Sequence, residues 1–211
     1  MDPIHYCRQQ VAPLGSAIDY SVRYLNDDKA NAVIALYAFQ HAMHDIKAKC
    51  TDLSIADAKL TWWRNEIDLV YTGKPNHPVA QALNDIVTAF SLHQQRFDNI
   101  INATESDLHH PDTVHCTGEM QLLISQVLGF SYDKTLEYAK QLGLGLEYAA
   151  IGDTTLARQH LSNAQTTLPI IDHKTQFPGL IMAAITQRLL IKPRITPLRM
   201  WWIARRLRRH A

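Results

Sequence analysis

The chain has 211 residues, 46% of them hydrophobic, enough to bury a sizeable core in one domain or a compact pair. Its 21 Lys and Arg balance 20 Asp and Glu, so no global field selects nucleic acid or an acidic partner. Cys7, Cys50 and Cys116 are odd in number and far apart, which argues against a disulfide framework, and no CxxC pair marks structural zinc.

The opening MDPIHYCRQQ lacks the apolar core of a signal peptide, and no apolar run is long enough to span a bilayer. A protein of the reducing cytoplasm is expected. Helix signals then follow one another. DDKANAVIALYAFQHAMHDI places Ala32, Leu36, Phe39 and Met43 at three- and four-residue steps after an acidic first turn at Asp27 and Asp28. SIADAKLTWWRNEIDLVYTGKP opens on a Ser54/Asp57 pair resembling a capping box and stops at Gly73, with Pro75 beyond. HPVAQALNDIVTAFSL and HQQRFDNIINATESDL read as the next two helices. TGEMQLLISQVLGF, SYDKTLEYAKQLGLGLEYAAIGD, TTLARQHLSNAQTTLP, FPGLIMAAITQRLLI and TPLRMWWIARRLRRH complete the series. No stretch alternates as a strand, and no repeat or low-complexity linker divides the chain. The expected fold is therefore all-α, a single-domain helical bundle over residues 1–211 with a basic last helix at about 197–210.

The stretch ALYAFQHAMHDIKAK has the apolar spacing of a buried helix, yet two histidines and two lysines crowd its one acid, Asp45. His41, His44 and Asp45 share a helix face and could offer transition-metal ligands. A zinc site wants three or four convergent ligands, so polar residues at a cavity mouth are the preferred reading, and no metal is assigned. His109, His110 and His115 fall in a loop and are read as solvated. Trp62, Trp63 and Arg64 form a tempting binding surface, but one packed tryptophan with Arg64 and Glu66 in polar contacts at the rim is favoured. Asp107 is expected to cap or pair at a helix end.

Several segments together resemble the squalene/phytoene synthase family, in particular its branch similar to bacterial presqualene diphosphate synthases. AKLTWWRNEIDLVYTGKPNHPVAQAL resembles that family's WWR-x-E helix, Y-x-G-x-P turn and HPV helix start. PIHYCRQQVAPLGSAIDY resembles its amino-terminal segment, ALYAF its first substrate helix, and ATESDL the end of a helix usually reading GMEMDL. YAKQLGLGLEYAAIGD resembles the helix carrying its second acidic motif, and PGLIMAAITQRLL and ITPLRMWWIA its carboxy-terminal helices. The resemblance implies an isoprenoid-synthase bundle around a cavity for prenyl chains, with Tyr37 facing that cavity. It also implies magnesium, held by two Asp-rich helices, to neutralise a departing diphosphate.

Both Asp-rich motifs are degenerate. Where the first should run from an arginine into D-D-x-x-D, the chain has His41, His44, Asp45 and Ala48, followed by Lys47 and Lys49 around the surviving acid. The second, usually N-x-x-R-D-x-x-x-D, is reduced to Ala149, Gly152, Asp153 and Ala157. Glu119, Met120 and Gln121 replace the glycine-rich V-A-G-x-V-G helix, and the second half is short by about one helix-loop unit, on typical helix lengths. The resulting expectation is a non-catalytic relative that binds an isoprenoid or lipid, or serves as a scaffold or assembly factor for a protein partner. Its candidate ligand-binding residues are Tyr37, His41, His44, Asp45 and Asp153, with Asp45 and Asp153 the remnant catalytic candidates and no cofactor. A magnesium-dependent head-to-head prenyltransferase is the alternative, requiring a partner chain to supply the missing carboxylates.

The last helix carries a third possibility. Trp201, Trp202, Arg205, Arg206, Arg208 and Arg209, with Arg199, suit contact with an anionic membrane at its inner face or with an acidic partner. Against this stands docking of the helix on the bundle with its arginines solvated. Nucleic acid is not expected, since the rest of the chain shows no basic stripe.

Overall fold

The computed structural model describes residues 2–110, 115–192 and 194–210. In chain order these form α1 (Pro3–Val11), α2 (Ala17–Val22), α3 (Asp27–Lys49), α4 (Leu53–Thr72), α5 (Pro78–Ala89), α6 (Gln94–His109), α7 (Glu119–Leu128), α8 (Lys134–Ala150), α9 (Thr154–Thr167), a 3₁₀ turn at Ile170–Asp172, α10 (Phe177–Leu189) and α11 (Pro197–His210). No strand occurs among the described residues, so the fold is all-α.

The run Ala32–Phe39 explains the centre of the bundle. Every residue in it is buried, so all sides of α3 meet protein rather than one stripe. Helices α1, α5, α6 and α7 pack around it. Phe39 joins the layers, meeting Trp63 and Phe97 edge-on at ring separations of 5.5 and 5.4 Å. Asn26 starts the helix by accepting from the Lys29 amide at 3.2 Å.

Helix α4 begins two residues earlier than the Ser54/Asp57 pair suggests. Asp52 is the cap, accepting from the Ser54 amide at 2.8 Å. Asp57 instead meets His109 at 2.9 Å, so His109 ends α6 and is not a loop residue. Gly73 closes α4 at φ 81°, a left-handed conformation that favours glycine. Beyond it, the buried Glu66 carboxylate accepts from the Asn76 and His77 amides at 2.9 and 3.0 Å. Trp63 meets the His77 ring edge-on at 5.0 Å. WWRNE and the following TGKPNHP therefore form one structural unit in which Glu66 fastens the turn and Trp63 packs behind it. Arg64 reaches across to Glu105 at 2.7 Å, while Trp62 stays partly exposed.

In the second half, α8 and α9 form a helical hairpin joined only by Ile151, Gly152 and Asp153. Tyr138, Leu142, Leu161 and Ala164 make its core. Gly143 admits the loop before α7: a Cβ there would stand 2.5 Å from the Gly118 Cα. Helix α11 docks through Ala204, with Trp201, Ile203 and Leu207 beside it, on Tyr20, Phe177, Ile181 and Ile185 of α2 and α10.

Candidate functional site

A hollow of about 550 Å³ lies among α3, α7, α8 and α10, within the range of small-molecule sites, roughly 300–1,000 Å³. Its walls are mainly apolar, from Met120, Leu146, Met182, Leu189 and Leu190. A second, smaller hollow of about 80 Å³ shares Gln40, His44, Met120 and Glu147 with the first. It adds Lys47, Asp107, His115 and Cys116, so the pair form one site with a long apolar part and a short polar end. Apolar walls follow from helix spacing: α10 turns Met182 and Leu189, seven residues apart, toward the same space.

Tyr37 marks the floor. It is buried on α3, and its hydroxyl accepts from Gln121 Nε2 at 3.0 Å. Burial pushes its phenol up to about 12, so it stays protonated at neutral pH and its own hydrogen remains available to donate.

At the polar end, Lys47 pairs with Asp107, which also accepts from the His115 amide at 2.7 Å. Burial alone would raise the Asp107 carboxyl, but these hydrogen bonds outweigh it and hold it below the ordinary carboxylate value. Glu147 accepts from the Thr117 and Gly118 amides at 2.8 and 3.2 Å. Burial nevertheless raises its carboxyl. Burial and then Glu147 push the Cys116 thiol up to about 12, leaving it a poor nucleophile. His44 is lowered by its surroundings, then by Lys47 and His41, so it is neutral near pH 7.

A family model described as squalene/phytoene synthase matches residues 15–151. The chain belongs to the squalene/phytoene synthase family. The matched span takes in α2 through α8, while α9, α10 and α11 lie beyond it. With the family goes the all-α fold of the isoprenoid-synthase type. No curated protein and no solved structure matches the chain.

Of the five residues proposed from sequence to bind a ligand in this squalene/phytoene synthase relative, Tyr37 and His44 line the larger hollow. His41, Asp45 and Asp153 line neither hollow. Asp45 Oδ2 accepts from Lys49 Nζ at 2.7 Å, and Oδ1 lies 3.9 Å from His41. The Lys49 hydrogen bond holds its carboxyl below the usual value. Asp153 caps α9, its Oδ1 accepting from the Thr155 and Leu156 amides at 3.1 and 2.9 Å. Both aspartates are thus engaged within their own helices. Among the described residues, no group of three or more His, Cys, Asp and Glu side chains is arranged to hold a metal ion.

Glu147, Gln121 and Cys116 complete the site and were not singled out from sequence as ligand-binding residues. Glu147 had a readable signal, as the lone charge in the otherwise apolar Leu142–Ile151 stretch. Gln121 had none, because its partner Tyr37 is 84 positions away and meets it only through packing of α7 on α3.

On α11, Trp201 is half-buried and carries Arg205 over its ring at 5.0 Å. Trp202 is 54% exposed with Arg206 over it at 5.5 Å. Arg208 instead covers Tyr24 of the bundle at 4.4 Å. Arg209 is exposed beside them. No helix among the described residues is long and apolar enough to cross a membrane.

Proposed function

We propose that this member of the squalene/phytoene synthase family holds an isoprenoid or other lipid tail in the α3–α7–α8–α10 hollow without making or breaking its bonds. The observation that carries the reading is the charge lining. Neither hollow is lined by an arginine. Lys47, the one lysine there, already pairs with Asp107. A diphosphate would face Asp107 and Glu147 with no uncommitted cation, a like-charge approach that low-dielectric walls strengthen.

Magnesium does not fit the residues present. Of the carboxylates in the polar end, Asp107 is held by Lys47 and Glu147 by the Thr117 and Gly118 amides. Asp45 and Asp153, held by a lysine and a helix cap, lie on separate elements outside the hollow. A lipid with an uncharged head fits better. The Tyr37 hydroxyl, Gln121 and neutral His44 can exchange hydrogen bonds with an alcohol or carbonyl, while Met120, Leu146 and Leu190 cover an apolar chain.

Calorimetric titration with farnesol and with farnesyl diphosphate, each with and without magnesium, tests the reading. The alcohol is expected to bind saturably, and Leu146→Trp, which fills the hollow, to abolish that binding while the protein stays folded. Tighter, magnesium-dependent binding of the diphosphate would overturn the reading. Failure of both to bind would favour a scaffold that engages a protein partner.

A further inference from the structure

The charge of this chain is sharply divided. From residue 173 onward there are nine Lys and Arg and no Asp or Glu, whereas the preceding 172 residues carry 12 cations against 20 anions. Near neutrality in sum therefore hides a strongly basic last segment.

The fold gathers this basic end into a defined pocket. Where the end of α10 meets the start of α11, a hollow of about 150 Å³ is lined by Arg188, Lys192, Arg194 and Arg199 with Ile191 and Ile195, and no acid takes part. Around it, large apolar side chains stand in solvent: Ile191 is 69% exposed, Leu198 73% and Trp202 54%. Arg199, Trp202, Arg206 and Arg209 follow at three- and four-residue steps, so one stripe of α11 sets an indole among three arginines. The opposite stripe, through Ala204 and Leu207, is already packed on the bundle.

We infer that this corner docks on an anionic phospholipid bilayer, with the pocket of Arg188, Lys192, Arg194 and Arg199 gripping a lipid phosphate while Ile191, Leu198 and Trp202 enter the headgroup layer. Four cations without an acid supply the charge complement of a phosphate. The exposed apolar residues select a bilayer over nucleic acid or a free anion, because neither of those offers an apolar phase to cover them. Leu189 and Leu190 of the lipid-tail hollow are flanked in sequence by Arg188 and Ile191 of this pocket, so the docked face lies at the α10 end of that hollow. The docking itself does not depend on what fills it.

Sedimentation with vesicles decides the matter. The full chain is mixed with pure phosphatidylcholine vesicles and with vesicles containing phosphatidylglycerol. Three proteins are compared: wild type, Arg194→Gln/Arg199→Gln, and the control Lys74→Gln/Lys134→Gln, which removes the same charge at exposed sites elsewhere. Wild type and control are expected to sediment with the anionic vesicles and not the neutral ones. The pocket variant is expected to lose roughly thirty-fold in partition, as follows from removing two basic residues at an anionic surface. Equal loss in control and pocket variants, unchanged binding of the pocket variant, equal binding to neutral vesicles, or no binding by wild type would each overturn the proposal.

Discussion

Lys49 Nζ donates to Asp45 Oδ2 at 2.7 Å, one helical turn along α3. The Asp45 carboxylate is thereby neutralised by its own helix, outside both hollows. Because the pair is partly exposed, Asp45→Asn should change stability by less than about 0.5 kcal/mol and leave lipid affinity unaltered. Urea unfolding and calorimetry on the same sample check both.

Asp153 behaves differently, because it caps a helix. Asp153→Ala should cost about 1 kcal/mol by freeing the Thr155 and Leu156 amides, again with unchanged lipid binding. A drop in midpoint of urea unfolding at constant slope would register it. Loss of lipid binding with no loss of stability would assign Asp153 to the site instead.

Glu66 holds the turn that follows α4. Glu66→Ala removes the acceptor that the Asn76 and His77 amides share in a part-buried turn, at roughly 1–3 kcal/mol on the scale for unpaired groups. Unfolding by urea should show this loss, and Glu66→Gln, which keeps one acceptor oxygen, should lose less.

Gly143→Ala puts a Cβ 2.5 Å from the Gly118 Cα and 2.8 Å from its carbonyl oxygen. Backbone atoms must separate, so the loop before α7 shifts and the variant should be destabilised by about 1–3 kcal/mol. Gly152→Ala is a contrasting control: its site is open but left-handed, so it tests strain without a clash.

Glu147 links the polar end to pH. Its folded carboxyl titrates above the ordinary glutamate value of 4.5, chiefly through burial, with Asp107 adding in the same direction. Above 4.5 the unfolded chain has lost this proton while the folded chain keeps it, so stability falls as pH rises through the folded value. Thermal midpoints of wild type and Glu147→Gln, compared from pH 4 to 8, should move in favour of the variant across that window. Parallel curves would show that Glu147 titrates normally.

Nine helices, α3 through α11, were legible because each is long enough to show apolar spacing and most carry recognisable ends, such as Gly73 after α4. Helices α1 and α2 were not: nine and six residues, broken by Pro13 and Gly15, are too short for a period to appear. The α4 cap was misassigned because Asp52 and Ser54 are both competent cap residues two positions apart, and only the backbone turn chooses between them. For the site, Tyr37 and His44 follow from the resemblance of α3 to the family's first substrate helix, and both line the larger hollow. Aligned motif positions drew Asp45 and Asp153 into the same list, although Asp153 before Thr154, Thr155 and Leu156 also reads as a helix cap. What sequence could not supply was the meeting of α3, α6, α7 and α8, which brings Lys47 to Asp107 and Gln121 to Tyr37 across 60 and 84 positions.

Release of pyrophosphate from farnesyl diphosphate in the presence of magnesium tests most directly whether chemistry has been given up. The account predicts none above the rate without protein, for wild type and for Asp45→Ala alike. Sustained release by the wild type that Asp45→Ala abolishes would contradict it.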